Sequence, residues 1–270
     1  MSKIGLIAGA GELPVEFSKS AVSKGKEIKI YGIKGITDKK IQNIAPTQWL
    51  HLGQAQKLID SMKSDRIKDV VMLGKIEHYH LLYSIHRFDK RAREFFGQLV
   101  DKRAKSILEA VLNELKKEGF NPIDPSPFLS QLLVPEGLIA GEKEPEKEPM
   151  EDAYFGLKIA KEIAQLDIGQ TVVVKNKIVI AVEGIEGTDK CILRGGELAG
   201  EGSVVCKVAR KNQDMRYDVP VIGTKTLKSM KKAKAKLLAV ESGKTFIVEK
   251  EEFKKLAKKY GISVIGVKLQ

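Results

Sequence analysis

The chain begins with a short apolar run, Lys3-Ile4-Gly5-Leu6-Ile7-Ala8, followed by a glycine turn, Gly9-Ala10-Gly11-Glu12-Leu13-Pro14. From Val15 to Lys24 apolar positions then recur at helical spacing. That order predicts a strand, a turn and a helix. Similar apolar runs predict strands at Glu27 to Gly32, Gln48 to Leu52 and Asp69 to Leu73, and helical periodicity predicts helices at Gln54 to Ser64 and Asp101 to Glu118. Strands alternating with helices bury both faces of a parallel sheet, so the fold class expected is α/β with a Rossmann-like amino-terminal domain.

From Val134 to Glu151 the composition shifts to Pro, Gly, Glu and Lys, and residues 141–149 are too polar to join a core. This reads as a polar linker between a domain at 1–133 and a second α/β domain at 152–270. Behind it, Asp152 stands where it can cap a helix that runs to Gln165. Thr171 to Val174 and Lys177 to Val182 read as a hairpin turned at Lys175-Asn176. Further strands are expected near Ser203 to Ala209, Leu237 to Ala239, Thr245 to Val248 and Ser263 to Val267.

A chain of 270 residues can build one large or two modest domains, each with its own core. It contains no apolar run long enough to span a bilayer and its start lacks a signal-peptide core, so it reads as soluble and cytoplasmic. Cys191 and Cys206 form no C-x-x-C pair and are expected to be reduced, buried thiols. Of the formal net charge of +12, nearly all comes from residues 204–270, which hold seventeen Lys or Arg against six Asp or Glu. Lys228, Lys231, Lys232, Lys234 and Lys236 crowd one segment and Lys254, Lys255, Lys258 and Lys259 another. A solvated surface of the heat-adapted kind, attraction to an anionic membrane and attraction to a polyanionic substrate all account for that field. Nucleic acid is disfavoured, because few aromatics interleave with the lysines and no recognisable nucleic-acid module is present.

Three motifs carry candidate chemistry. The turn Gly9, Ala10, Gly11, Leu13, Pro14 lets backbone N–H groups approach an anion, and Gly74-Lys75 follows the fourth strand, where open α/β sheets place ligand contacts. It is not a dinucleotide fingerprint: the third glycine of G-x-G-x-x-G falls at Pro14, and the second strand ends without an acid for a ribose hydroxyl, so NAD is disfavoured. Glu183 to Asp189 with Arg194-Gly195-Gly196 is the second motif. There Thr188 is expected to cap a helix beside Glu186 and Asp189. The third is Gln213 to Gly223, in which Asp214, Arg216 and Asp218 alternate and would share one face of an extended backbone. Two acids able to hold a divalent cation and an arginine able to fork onto a phosphate suit hydrolysis of a phosphoanhydride, although a charged strand edge would look the same.

Four motifs in one order resemble a known family. They are Gly5 to Gly9 with Gly11 and Leu13-Pro14, Leu166-Asp167-Ile168-Gly169-Gln170, Glu186-Gly187-Thr188-Asp189, and Gln213 to Gly223 with Arg216, Asp218, Pro220 and Gly223. Together they resemble the LpxI-type UDP-2,3-diacylglucosamine pyrophosphatases of lipid A biosynthesis over nearly the whole chain. The resemblance implies a Mg²⁺-dependent, homodimeric hydrolase that yields UMP and 2,3-diacylglucosamine 1-phosphate (lipid X), with substrate held between its two domains. It carries the essential aspartate of the Arg-x-Asp-x-Pro motif to Asp218 and leaves Asp214 less secure.

The catalytic set expected is thus Asp218, Arg216 and Asp214, with Asp218 and Asp189 as metal candidates. The substrate-binding set is Gly9, Ala10, Gly11, Leu13, Pro14, Gly74, Lys75, Gly187, Thr188, Arg194 and Gln213. His78, His80 and His86 lack the spacing of a zinc site and are expected to be surface histidines. A nonenzymatic nucleotide-sugar or lipid-binding protein is the alternative, and an NAD(P)-dependent oxidoreductase is weakened further by the absence of a Tyr-x-x-x-Lys pattern. The partners expected are the UDP-diacylglucosamine substrate and an anionic inner-membrane surface.

Overall fold

The computed structural model describes residues 3–76, 87–99, 104–210, 214–216 and 219–269. They divide into two compact units. The first takes in the chain through Leu129 and, from the later sequence, Asp214, Met215 and Arg216; the second holds the remainder.

The first unit is built on β1 (Ile4–Ala8), β2 (Ile28–Ile33), β3 (Thr47–Leu50), β4 (Asp69–Leu73) and the short β5 (Asn121–Pro122). They form one parallel sheet in the order β3-β2-β1-β4-β5. Its helices are α1 (Leu13–Ser23), α2 (Ala55–Ser64), α3 (Lys90–Gly97), α4 (Ala104–Lys117) and the single turn α5 (Ser126–Leu129). Leu6, Ile30, Val70 and Val71 from the strands and Phe17, Met62 and Leu115 from the helices are buried. This order is doubly wound, and its direction reverses between β1 and β4, the place where such sheets bind ligands beyond the strands' carboxyl ends. The Rossmann-like expectation holds.

The second unit carries β6 (Gly137–Ala140), β7 (Thr171–Lys175), β8 (Ile178–Val182), β9 (Val204–Lys207), β10 (Val221–Ile222), β11 (Leu237–Glu241), β12 (Phe246–Ile247) and β13 (Ser263–Val267). Six of them make a mixed sheet in the order β6-β13-β11-β9-β7-β8, in which β9, β11 and β13 are parallel; β10 pairs with β12 apart from it. Helices α6 (Lys147–Gln165), α7 (Thr188–Ala199), α8 (Thr224–Lys232) and α9 (Lys250–Tyr260) complete the unit. Successive residues of a strand face opposite sides. Val172, Val174, Val204, Cys206, Leu237, Ala239, Ile265 and Val267 accordingly pack with Ala153, Leu157, Ala160 and Ala164 of α6. Val173, Val205, Leu238, Val240 and Val264 pack on the other side with residues of α7, α8 and α9. Both cysteines are buried free thiols, and burial pushes the Cys191 thiol up to about 12. No helix among the described residues is long and apolar enough to cross a membrane.

Three expectations change. The segment expected as linker contains strand β6, which pairs with β13, and the first turn of α6; Val134 before them is buried. Gly137-Leu138-Ile139-Ala140 is too brief a run to stand out beside so polar a neighbour. Asp152 does not cap α6, whose N-cap is Glu146. Its carboxylate instead accepts hydrogen bonds from the backbone N–H groups of Asn176 (2.8 Å) and Lys177 (2.6 Å). Those two residues have φ of 52° and 57° and form the turn between β7 and β8, so the turn falls one residue later than expected. Left-handed backbone at two non-glycine residues needs such an anchor. Asp152→Ala is expected to cost about 1–3 kcal/mol, the usual penalty for a buried acceptor removed from its donors. Urea denaturation measures it.

Candidate active site

At the carboxyl ends of β1 and β4 two glycine turns meet. The Ala10 N–H donates to the Lys75 carbonyl and the Lys75 N–H to the Ala10 carbonyl, both at 2.9 Å, forming an isolated antiparallel bridge across the point where the sheet reverses. Only glycines fit beneath it. A Cβ built on Gly9 would lie 2.8 Å from the Gly74 carbonyl carbon, and one on Gly74, whose φ is +94°, 2.7 Å from the Gly9 carbonyl carbon. Thr37, which sequence reasoning missed, braces the same turn: its buried hydroxyl donates to the Ala8 carbonyl (2.5 Å) and accepts from the Ile33 N–H (2.8 Å). A threonine beyond β2 carries no motif that could have flagged it.

Around this bridge the expected ligands differ in what they offer. Leu13 and Pro14 are buried in the core, so they shape the turn rather than present side chains to a ligand. Gly11, at φ +98°, is exposed, and a Cβ built on it meets nothing within 4 Å. Its glycine requirement is therefore one of backbone conformation and of approach by a ligand. Glu12 stands at the N-cap of α1 without capping it, and both its carboxylate oxygens accept from Lys40 Nζ, at 2.6 and 2.7 Å. An acid at this helix end opposes a phosphate, and Lys40 offsets that charge. The exposed Lys75 adds a cation beside the bridge.

Asp214 and Arg216 belong to this same unit but do not lie on an extended strand. They form a turn in which the Asp214 carboxylate accepts from the Arg216 backbone N–H (3.1 Å) and Nε (2.9 Å) through Oδ1 and from Nη2 (2.5 Å) through Oδ2. An aspartate gripping the N–H two residues on is a local turn device that competes with strand pairing. The Arg216 guanidinium holds the Asp214 carboxyl below the usual carboxylate range. A depressed pKa means the pair persists at neutral and weakly acidic pH and is released as pH falls through the folded value. Gln213 and Asp218 lie outside the described residues, as do His78, His80 and His86.

The second unit gathers charge at the start of α7. Gly187, with φ 82°, is the N-cap residue and no side chain caps the helix. Thr188, expected to cap, instead donates its hydroxyl to Glu183 Oε1 (2.9 Å) and accepts from Lys207 Nζ (3.1 Å). Glu186 accepts from Arg194 Nη2 at 2.6 Å and from the Gly184 N–H at 3.1 Å, and Arg194 Nη2 also donates to the Val182 carbonyl at 2.8 Å. The Arg194 hydrogen bond is the chief cause holding the Glu186 carboxyl below its ordinary value. Arg194 is thus aimed by Glu186 and Val182. Glu183 and Lys207, which complete the group, come from β8's end and from β9, an assembly no local spacing reveals.

Asp189 is directed elsewhere, accepting from Ser229 (3.1 Å) on Oδ1 and ion-pairing with Lys225 (3.0 Å) through Oδ2. Among the described residues no three acidic, histidine or cysteine side chains converge as metal ligands. With Asp189 engaged by Lys225 and Asp214 by Arg216, the described donors do not make a Mg²⁺ site by themselves.

Among solved structures the chain is similar to CobK precorrin-6A reductase, at 11% identity over 100% of this chain and 89% of that one, with a TM-score of 0.31. It is 29% identical to the UDP-2,3-diacylglucosamine pyrophosphatase LpxI of Caulobacter vibrioides, over 99% of this chain and 98% of that protein. Residues 3–132 match the LpxI N-terminal domain and residues 135–265 the LpxI C-terminal domain, so the chain belongs to the LpxI family.

Proposed function

We propose that the chain is a hydrolase that splits the pyrophosphate bond of UDP-2,3-diacylglucosamine into UMP and 2,3-diacylglucosamine 1-phosphate in lipid A biosynthesis. The observation that carries this reading is end-to-end similarity to the Caulobacter pyrophosphatase, with both family domains in register. The geometry is compatible with it. A pyrophosphate resists water because its oxygens repel a nucleophile, so cations and N–H donors must take up charge where it develops. In the Gly9–Gly11 turn the Gly9 N–H is taken by the Leu73 carbonyl and the Ala10 N–H by the Lys75 carbonyl, so it is the exposed Gly11 backbone, with the Lys75 cation, that is proposed to meet a phosphate at the reversal of the first sheet. Arg216 is held in one orientation by Asp214, which makes Asp214 an orienting group. Asp218 is assigned the carboxylate that directs the attacking water; in the second unit, taken by itself, Arg194 oriented by Glu186 is a cation able to hold a phosphate.

Mg²⁺ is part of the proposal, since this ion is commonly held by one or two carboxylates together with substrate phosphates rather than by an all-protein cage. Asp218 is its candidate protein ligand, and the chemistry it supplies when bound is neutralisation of phosphate charge. The test is UMP release from UDP-2,3-diacylglucosamine, abolished by EDTA and restored by added Mg²⁺. A homodimer is proposed as the working state, to be checked by light scattering.

The lysine-rich helices extend the proposal to an anionic membrane, where a diacylated substrate resides. Lys228, Lys231, Lys232, Lys234 and Lys236 are all exposed, whereas Leu227, Met230, Ala233 and Ala235 between them are buried. Each lysine near an anionic surface contributes about 1 kcal/mol, which predicts reversible, salt-sensitive binding. Changing Lys231, Lys232, Lys234 and Lys236 to Gln is expected to abolish low-salt co-sedimentation with anionic vesicles. Equal sedimentation of wild type and variant would make these lysines ordinary solvated surface.

A further inference from the structure

Trp49, the one tryptophan of the chain, lies near the carboxyl end of β3, the edge strand of the first sheet, and is half-buried. Its neighbour on β2 is Gly32, and the neighbour of Gly32 on β1 is Ala8, the residue before the glycine turn. A Cβ built on Gly32 would lie 2.8 Å from Cζ3 and 2.9 Å from Cε3 of the indole. The six-membered ring therefore rests on the bare backbone of β2 and reaches from the edge of the sheet toward β1. Glycine inside a strand gives up packing and chain entropy, and it marks a place where another group comes close. Here that group is the indole.

The indole is also held through its polar atom. Nε1 donates to Gln42 Oε1 at 3.3 Å, and Gln42 belongs to the short 3-10 helix Lys39–Asn43. That helix is fixed by the buried Ile41 and by Asp38, whose carboxylate accepts from the Lys40 N–H at 2.9 Å. Lys40 is in turn the cation that holds Glu12, the residue after Gly11. One short helix thus ties the indole and the glycine turn into a single frame.

Neighbouring strands lie about 5 Å apart, so a ring lying over β2 stands one spacing from β1 and its turn, a gap that a ribose bridges. In doubly wound sheets a nucleoside runs from the phosphate turn after β1 toward the end of β2, and β2 of this chain ends without an acid to hold the sugar. A half-buried indole supplies a different hold, since every base offers it a π-face. We infer that Trp49 is the stacking platform for the base of the nucleotide bound at Gly11 and Lys75. The inference deepens the proposed hydrolase reading, which makes that nucleotide a uridine phosphate.

The experiment titrates UMP into the wild type while tryptophan fluorescence and calorimetric heat are followed, so that the optical signal reports Trp49 alone. Saturable quenching is expected, with the same Kd by both methods. Trp49→Ala is expected to weaken UMP binding about tenfold or more, the scale of one lost base stack, and Trp49→Phe to stay within about threefold of wild type. Ribose 5-phosphate, which lacks the base, is expected to bind wild type and Trp49→Ala alike, which separates a lost stack from a damaged sheet. UMP that binds by calorimetry without altering the fluorescence, equal losses for UMP and ribose 5-phosphate in Trp49→Ala, or no UMP binding to the wild type would each overturn the inference; the first and the last need no variant to fold. Turnover of UDP-2,3-diacylglucosamine is scored separately. Trp49-dependent UMP binding without hydrolysis sinks the hydrolase reading alone, and hydrolysis with KM unchanged in Trp49→Ala sinks this inference alone.

Discussion

Asp218→Ala is expected to lower turnover of UDP-2,3-diacylglucosamine by about 10²-fold or more, the usual scale for losing a group that acts only in the transition state. Its circular dichroism and its affinity for substrate should be near wild type, since ground-state contacts remain. Asp214→Ala is expected to lose less, because Asp214 acts by holding Arg216 through Nε and Nη2, and the guanidinium keeps its charge without it. Steady-state kinetics on both variants, beside thermal melts, separates the roles. Equal losses would mean that the two carboxylates share one function, and retention of more than about a tenth of wild-type turnover in Asp218→Ala would remove it from the chemistry.

Gly74→Val is expected to damage both stability and substrate binding. Its φ of +94° is closed to branched residues, and its Cβ would meet backbone atoms of Gly9 and Ala10 at 2.7 to 2.9 Å. Backbone strain of about 1–3 kcal/mol and overpacking of similar size add here, because the obstacle is main chain that cannot rotate away. The bridge between Ala10 and Lys75 would open and the donors beside it would lose their alignment. Urea denaturation should show a loss of about 2 kcal/mol or more, and KM should rise in whatever fraction folds. Gly11→Val serves as the contrast, for its Cβ meets nothing within 4 Å, so its cost is conformational strain and obstruction of the ligand.

The alternation of strands and helices that the sequence shows was enough to read four of the five strands of the first sheet, because parallel strands buried on both faces leave continuous apolar runs such as Val70 to Leu73, whereas the two-residue β5 leaves none. The glycine turn was legible for a related reason: Gly9 and Gly74 hold positions that no side chain can share. What escaped the sequence were partnerships between distant positions. Asp152 looked like a helix cap because aspartate is common there, whereas its partners are the N–H groups of Asn176 and Lys177. Asp214 and Arg216 alternate like strand residues, yet the carboxylate closes on its own neighbour's N–H and guanidinium before a strand can form. The trio of Glu183, Thr188 and Lys207 joins residues whose separation in the chain gives no periodic signal.

Turnover of a lipid-linked nucleotide diphosphate by this chain is checked by a product balance. Purified protein incubated with UDP-2,3-diacylglucosamine and Mg²⁺ is expected to release UMP and 2,3-diacylglucosamine 1-phosphate in equal amounts, identified by chromatography and mass spectrometry, with Asp218→Ala silent in the same assay. Folded protein that binds the nucleotide sugar and returns it intact, with no UMP formed, would rule out hydrolysis and point instead to a binding protein.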